Sequence, residues 1–334
     1  MENLQQSFFQ YIKNSLPAHL SLVDEVATLL NISNDSAYRR IRNEKSISFE
    51  EIKILAAHFK ISVDQLLNLQ TDTGSFSGRY ITPENFDFSL YLEKTYKDLE
   101  FIAGFKEKEI YYYCKDFPLF YYYAFPEIAA FKSFIWMKTS FHFQALSSVP
   151  FSFEYYMKPF IDIGQKIFRL YARIPGTEIM NVEIIITTLL QIEYYKKSFM
   201  FSSGEVITTL LNKLDELTTH ICRQAEEGVK FVPSEQPNSQ SPKYNLYAND
   251  FVIGDNSIVA VCNNSLTSFL IHSHVNYITI NDGKFTAYHY RFIKNIIKKS
   301  NLISDTGEKY RARFFHLIHQ KIEQCRNNEL ETMV

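Results

Sequence analysis

Glycine is scarce in this sequence, with 10 residues in 334. Loops that cradle phosphates are built from closely spaced glycines, and the sequence holds neither a P-loop nor a GxGxxG pattern. It also lacks the GxSxG and HExxH patterns of two classes of hydrolase. Because all four motifs are missing, the sequence gives no support to an enzyme. We predict a protein that is not an enzyme and uses no cofactor.

Cysteine is sparse as well, and its four residues lie far apart with no CxxC pair: Cys114, Cys222, Cys262 and Cys325. This spacing does not fit a disulfide framework of the secreted type. The first residues show no basic stretch leading into an apolar one, so they do not resemble a signal peptide. We therefore expect free thiols and a cytoplasmic location.

Long apolar runs are missing too. The most apolar stretch, residues 119–137, is interrupted by Pro126, Glu127 and Lys132. A membrane-spanning helix needs about 20 nearly uninterrupted apolar residues. We expect no membrane partner.

Two histidine pairs have the spacing of metal ligands. His272 and His274 would share one face of a strand, and His316 and His319 would share one face of a helix. No cysteine or carboxylate nearby completes either set. We predict no metal site.

Aromatic residues, in contrast, are abundant, with 29 Phe and 22 Tyr against one Trp. Such an excess could supply surfaces on which bases stack. It could equally fill the cores between helices, and we expect this second use.

The apolar periodicity and the helix-start signals divide the chain into five segments. Residues 1–70 indicate five short helices, and 71–85 a linker that carries two glycines. Residues 86–231 indicate a helical domain, 232–242 a second linker, and 243–334 an α+β domain. The predicted fold class is mainly α, with a five-helix N-terminal domain, a helical middle domain and a small α+β C-terminal unit.

The middle and C-terminal segments contain several clear elements. Predicted helices cover 88–105, 126–143, 153–174, 182–199, 204–228, 287–300 and 305–325. Predicted strands cover 250–253, 257–261, 268–271 and 277–280. The stretch 109–114 is ambiguous, because Tyr and Ile also favour strands.

A stretch near the N-terminus has the pattern of a helix-turn-helix motif. Ala27 is the small residue that lets a second helix cross the first closely, and Asn31 occupies the turn, where asparagine tolerates a positive φ. Ser33 can cap the second helix. Ala37 and Ile41 face the core, which leaves the polar residues of that helix for solvent or DNA.

The run LLNISNDSAYRRIRNEKSISFEEIKILAAHFKIS resembles the XRE-type helix-turn-helix, and more closely the BetR-type N-terminal domain of bacterial regulators. The core Ser-Ala-Tyr-Arg-Arg-Ile-Arg and the continuation Ser-Phe-Glu-Glu-Ile carry this resemblance, which covers about residues 5–68. The sequence departs from the pattern at Asn31, where glycine is usual, and in the i to i+4 apolar spacing of the second helix. The resemblance implies a DNA-binding transcription regulator with a recognition helix over residues 34–43.

The candidate DNA contacts follow from position on that helix. Residues near the start of a recognition helix meet base edges, whereas those at its far end more often touch phosphate. The base-contact candidates are Asn34, Asp35, Ser36, Arg39 and Arg40. The phosphate-contact candidates are Ser33, Arg42 and Lys45. For Asp35 a second role is open, since a carboxylate in the first turn also complements the helix dipole.

Charge is unevenly distributed along the chain. Residues 1–70 hold 7 Lys/Arg and 8 Asp/Glu, and their basic charge is concentrated at 39–45. A single copy should therefore bind DNA weakly, and a homodimer would double the phosphate contacts and read two half-sites.

A second basic concentration covers residues 284–313, with 8 Lys/Arg against Asp305 and Glu308. Three interpretations stay open at this point: a site for an anionic effector, a surface that contacts DNA beside the operator, or two amphipathic helices with solvated outer faces. The N-terminus of the last helix could also hold a phosphate, although ordinary capping explains its residues.

Together these patterns predict a sequence-specific transcription regulator that binds double-stranded DNA as a homodimer. Its C-terminal region would serve dimerisation, or would sense an unidentified small-molecule or anionic effector. The alternative is a protein-interaction regulator, tethered to DNA, whose helical body recruits partner proteins.

Overall fold

The computed structural model describes residues 4–17, 20–59, 61, 76–78, 82, 84–155, 158–251, 254–273 and 276–331. The N-terminal domain holds helices α1 (Leu4–Asn14), α2 (Leu22–Leu30), α3 (Asn34–Ile41) and α4 (Phe49–Phe59). These are the first four of the five helices that the sequence predicts. The start signal of the fifth, Ser62 with Gln65 three residues later, lies outside the described residues.

The four helices enclose a small apolar core of their own. Phe8 and Phe9 of α1 are almost fully buried, and so are Val26 of α2, Ala37 of α3 and Leu55 of α4. Alanine at position 37 lets α3 approach its neighbours closely, because its side chain adds only a methyl group to the contact. This core fixes the position of α3 on its inner side.

The rest of the chain is built around one seven-stranded sheet. Its strands are β1 (Lys108–Tyr113), β2 (Gly176–Met180), β3 (Tyr244–Ala248), β4 (Ser257–Cys262), β5 (Ser265–Ser273), β6 (Asn276–Ile280) and β7 (Asn301–Leu302). The strand order is β6-β5-β4-β1-β2-β3-β7. The three adjacent strands β1, β2 and β3 are parallel, and the strands on both sides of them pair antiparallel.

The predicted fold class is therefore wrong. Strands β1 and β2 come from the segment that we expected to be a helical domain, yet they lie between β4 and β3 of the segment that we expected to be a small α+β unit. Both segments build one mixed α/β body. The predicted linker 232–242 is a loop within this body, since Lys230 N donates to Pro242 O across its two ends at 2.8 Å.

Helices cover both faces of the sheet. Their bounds are α5 (Phe88–Ala103), α6 (Leu119–Tyr122), α7 (Pro126–Ile135), α8 (Lys158–Tyr171), α9 (Ile186–Lys197), α10 (Gly204–Glu227), α11 (Gly283–Ile297) and α12 (Glu308–Glu331). A π-helical turn, Trp136–Ser140, extends α7. All seven helices predicted beyond residue 86 correspond to helical segments here, with shifted ends.

Alternate residues of β1 face two separate cores. Ile110 and Tyr112 pack into the large core under α5–α10 and α12. Tyr111 and Tyr113 pack on the opposite face, where Ile293 of α11 covers them. Most of the aromatic residues fill the first core, where rings such as those of Phe131 and Phe151 meet edge to face. The expectation that the aromatic excess serves packing agrees with this arrangement.

A buried polar cluster distinguishes β2 from an ordinary central strand. Glu178 is fully buried and accepts hydrogen bonds from the hydroxyls of Tyr121, Tyr171 and Tyr244, at 3.3, 2.5 and 2.7 Å. The ammonium of Lys230 lies 3.6 Å from the same carboxylate. These four groups satisfy a charge that would otherwise be costly to bury.

The same cluster explains the glycine that begins β2. A Cβ atom added at Gly176 would lie 2.5 Å from Nζ and 2.7 Å from Cε of Lys230. Lys230 is itself 1% exposed, so it has little room to withdraw. A side chain at position 176 would therefore disturb the ion pair.

Among the predicted strands, three correspond to β4, β5 and β6, and the ambiguous stretch 109–114 is strand β1 with one following residue. The turn between β4 and β5 has Asn263 at φ 52°, as its turn chemistry suggests. The predicted strand 250–253 is wrong in its first half, since Asp250 and Phe251 are not in a strand. Residues 252 and 253 lie outside the described residues.

Across the described ranges, none of the helices combines the length and the apolar composition that crossing a membrane requires.

Candidate nucleic-acid interface

The turn before α3 has the conformation that its sequence suggests. Asn31 adopts φ 50° and ψ 51°, in the left-handed region, and its N–H donates back to carbonyls of α2. Ser33 then caps α3, because its hydroxyl accepts from the N–H of Ser36 at 3.3 Å. Both features fix the angle at which α3 leaves α2.

The outer face of α3 presents a compact group of polar and aromatic side chains. Asp35, Arg39 and Arg42 are exposed, and Tyr38 keeps 48% of its surface accessible. The guanidinium of Arg42 stacks on the ring of Tyr38, 5.5 Å from its centroid. Residues at i, i+3, i+4 and i+7 of a helix share one face, so these four side chains point the same way.

Tyr38 is the residue of this face that sequence reasoning missed. Its position follows from the same spacing rule, because it lies three residues after Asp35 and four before Arg42. An exposed aromatic ring beside two arginines can contact a thymine methyl group or donate its hydroxyl to phosphate.

Arg40 points into the domain instead of outward. Its guanidinium is 5% exposed and pairs with the carboxylate of Glu51, with an Nη2–Oε1 distance of 2.6 Å, while Nη1 donates to the carbonyl of Ser36 at 3.0 Å. The hydrogen bond from Arg40 is the main reason that the pKa of Glu51 lies below its ordinary range. This corrects the placement of Arg40 among the residues left for base contact.

Glu51 also completes a reciprocal cap at the start of α4. Ser48 Oγ accepts from the N–H of Glu51 at 3.2 Å, and the Glu51 carboxylate accepts from the N–H of Ser48 at 3.0 Å. This is a capping box, and the spacing Ser48-Phe49-Glu50-Glu51 is its sequence pattern. One carboxylate thus ties the first turn of α4 to the inner side of α3.

The polar residues at the start of α3 already have partners inside the domain. Asn34 Nδ2 donates to Asp24 Oδ1 at 2.9 Å, and the hydroxyls of Ser33 and Ser36 are 3.1 Å apart. A bidentate contact from Asn34 to adenine would need its amide released from Asp24. Base contact by Asn34 and Ser36 therefore requires rearranged hydrogen bonds, whereas Arg39 needs none.

Lys45 lies in the loop between α3 and α4, exposed and close to the end of the recognition helix. Gln5 of α1 fixes this loop: its amide nitrogen donates to the carbonyls of Arg40 and Lys45, at 2.7 and 2.8 Å. Its amide oxygen accepts from the N–H of Ile47 at 3.0 Å. The phosphate-contact candidates at this end are thus held by α1 as well as by α4.

The cations of the second basic segment, residues 284–313, are of two kinds, one buried and the others exposed. Arg311 is 7% exposed and donates to the carbonyls of Ile303 and Asp305, both at 3.0 Å, so it closes the loop before α12. The other cations of 284–313 are exposed, and those of α11 form a continuous outer face.

Two cavities have the size of ligand sites. One, of about 220 Å³, lies on the α11 side of the sheet between Glu109, Lys243 and Lys294. A larger cleft of about 750 Å³ separates the N-terminal domain from the sheet, with Tyr11 on one side and Leu266 on the other. Either could admit the effector that the sequence leaves open, and the polar lining of the first suits a small charged molecule.

The described residues contain no group of three or more His, Cys, Asp or Glu side chains arranged around a common centre. His319 bonds through Nδ1 to Asp215 at 2.6 Å, and His274 lies outside the described residues.

Comparison with known proteins gives no relative from which the role of this site could be inferred. No protein-family model, no curated protein and no solved structure matches this chain. Its function is therefore argued from the geometry of its own residues.

Proposed function

We propose that this protein is a sequence-specific, DNA-binding transcription regulator that places α3 in the major groove. One observation carries the proposal: α3 is fixed on its inner side by a closed hydrogen-bond and ion-pair network, and it presents Tyr38, Arg39 and Arg42 on its outer side. A rigid helix with exposed arginines is what groove readout requires, since phosphate and base contacts depend on a fixed orientation.

Within this interface the residues have different roles. Arg39 is the base reader, because a guanidinium can donate two hydrogen bonds to O6 and N7 of guanine. Arg42 and Lys45 bind phosphate and set the register of the helix on the duplex. Groove readout involves no chemical step, so the proposal needs neither a catalytic residue nor a cofactor.

A homodimer belongs to the same proposal. Residues 1–70 carry a net charge of −1, so the few cations around α3 give limited affinity for a polyanion. A second copy would place a second α3 about one helical turn of DNA away, near 34 Å, and would double the phosphate contacts. We place this regulator in the cytoplasm, where its cysteines stay reduced.

Selection of duplexes from a random pool by the full-length protein tests this function. We expect a defined preferred site, and we expect Arg39→Ala to lose about 1–3 kcal/mol of discrimination at one base position, or about 5- to 150-fold. Lys13→Ala is the matched control, since Lys13 is exposed and lies about 12 Å along α1 from Gln5, the residue of α1 that bonds to the α3–α4 loop. An unchanged preference in Arg39→Ala would refute the role of α3.

A further inference from the structure

The outer face of α11 carries an unusual arrangement of charge. Lys284, Arg291 and Lys298 follow one another at intervals of seven residues, so they form one stripe along the helix. Lys299 flanks the end of this stripe, and Tyr288, 65% exposed, lies within it. No Asp or Glu occurs between Asp282 and Asp305.

The other helices differ from α11 in this respect. Among those that the structure describes, only α11 has two or more cations and no Asp or Glu. Residues 283–304 hold five Lys/Arg and no acid, and the chain totals −2, so the remainder carries −7. Ordinary solvated helix faces mix both signs, as α10 and α12 do, so solubility alone does not explain this face.

The inner side of α11 holds the stripe in place. His289 has its ring nitrogens 3.0 and 3.1 Å from the hydroxyls of Ser268 and Ser257, which lie on β5 and β4. Ile293 is fully buried against the sheet. Lys294 is also exposed, but its ammonium lies over the rings of Tyr111 and Tyr290, 5.0 and 5.6 Å from their centroids, and so does not belong to the stripe.

The cations on the outer side of α11, unlike the buried residues of its inner side, face solvent. Arg291, Lys298 and Lys299 are exposed and form no ion pair with any other described residue. They are spread along the helix and do not converge on a cavity, so their arrangement suits an extended polyanion better than a small anion. The first turns of α11 also line the cleft beside the N-terminal domain, where Ala287 faces the same space as Glu25 of α2.

We infer that the outer face of α11 is a second DNA-contacting surface, which binds backbone phosphates of the duplex next to the sequence read by α3. This inference rests on the proposed function. The stripe from Lys284 to Lys298 is about 21 Å long at 1.5 Å per residue. Since each strand of a duplex presents a phosphate every 3.4 Å of its axis, the stripe can follow about six base pairs.

Titration of the full-length protein with duplexes of increasing length tests the inference. The preferred site is kept at the centre, and flanking DNA of unrelated sequence is added two base pairs at a time. We expect affinity to rise over about the first six flanking base pairs on each side and then to level. The triple variant Arg291→Ala, Lys298→Ala, Lys299→Ala should lose this rise and keep the same preferred sequence.

Salt dependence supplies a second readout. Each phosphate contact contributes about 0.9 to the slope of log affinity against log salt concentration. The triple variant should therefore reduce the slope by up to about 2.7 for each bound subunit, or about 5.4 for the homodimer. The double variant Lys298→Ala, Lys299→Ala, which leaves the helix interior unchanged, should give about two-thirds of that reduction.

The matched control removes three cations from the opposite face of the sheet. Lys158, Lys166 and Arg169 of α8 are exposed there, and their replacement by Ala should leave both readouts as in the wild type. Equal losses in both triple variants, or a wild-type length profile and slope in the α11 variants, would overturn the inference. The proposed function fails separately, because its failure appears as an unchanged sequence preference in Arg39→Ala, whatever α11 does.

Discussion

Arg40 of α3 and Glu51 of α4 form a salt bridge beneath the surface of the N-terminal domain, with their nearest atoms 2.6 Å apart. The arginine side chain is 6% exposed and the glutamate side chain 19%. The pair fixes the angle between α3 and α4, on which the proposed fit of α3 to the major groove depends. An arginine in the middle of α3 thus serves the domain's own structure.

Replacing Arg40 should destabilise the domain. Breaking a fully buried pair costs about 3–5 kcal/mol, and the partial exposure of Glu51 reduces this to about 2–3 kcal/mol for Arg40→Ala. Hydrogen exchange across residues 4–59 measures the effect directly. Arg39→Ala, at an exposed neighbouring position, should stay within about 0.5 kcal/mol of the wild type, and equal losses in both variants would contradict the structure.

Acid should weaken the same domain through Glu51. Its pKa in the folded protein lies below 4.5, mainly because Arg40 donates hydrogen bonds to it. The carboxylate therefore contributes stability that is fully present above about pH 4.5 and is lost as the pH falls through the folded pKa. Exchange protection, corrected for the intrinsic rate at each pH, should fall less steeply in Glu51→Gln than in the wild type.

The turn residue Asn31 offers a test of backbone strain. At φ 50° an alanine is strained, whereas glycine adopts this conformation at no steric cost. We expect Asn31→Ala to lower the free energy of unfolding by about 1 kcal/mol, and Asn31→Gly to stay close to the wild type. Thermal unfolding of the two variants would show the difference, and the reverse order would count against the left-handed turn.

Arg42 should differ from Arg39 in how it affects DNA binding. Because we assign it to phosphate, Arg42→Ala should weaken binding to all duplexes by a similar factor and reduce the salt slope by about 0.9 for each bound subunit. Fluorescence anisotropy at several salt concentrations, with the preferred site and a scrambled duplex, measures both quantities. A change of preferred base would instead make Arg42 a reader.

The lowered pKa of Lys230 should stabilise the folded protein as the pH rises in the alkaline range. Burial lowers its pKa from 10.5 to about 8, so between these values the unfolded chain binds a proton that the folded chain does not. This group alone therefore adds stability from about pH 8 to pH 10, while the buried thiols of Cys114 and Cys262, whose pKa values are raised by burial, oppose it over the same range. The free energy of unfolding of the wild type should rise relative to that of Lys230→Met between these pH values, and parallel urea denaturation curves of the two proteins at each pH would reveal the difference.

Local signals made the N-terminal domain predictable from sequence. The turn at Asn31, the cap at Ser33 and the capping box at Ser48 each depend on residues within three or four positions of one another. The orientation of Arg40 was not predictable in this way, because its partner Glu51 lies on another helix. Helix spacing alone could have identified Tyr38.

The sheet escaped prediction for a different reason. A five-residue interior strand with a glutamate in its middle does not show the apolar pattern of a buried strand. Glu178 is accommodated by Tyr171 nearby in the chain and by two tyrosines and a lysine that lie more than 50 residues away in sequence. Strand β1 was ambiguous because its tyrosine run fits either a helix or a strand. Strands far apart in sequence pair in this sheet, and local sequence patterns do not predict such pairings.

The order of strands in the sheet also determines when each part of the protein can form during synthesis. All described contacts of the helix-turn-helix core lie within residues 8–61, so this domain can fold while most of the chain is still unmade. Tyr113, in contrast, must wait for its antiparallel partner Ser257. Pairings so distant in sequence fold slowly and leave strand edges exposed meanwhile. A nascent chain would therefore acquire its N-terminal domain well before the body that carries α11.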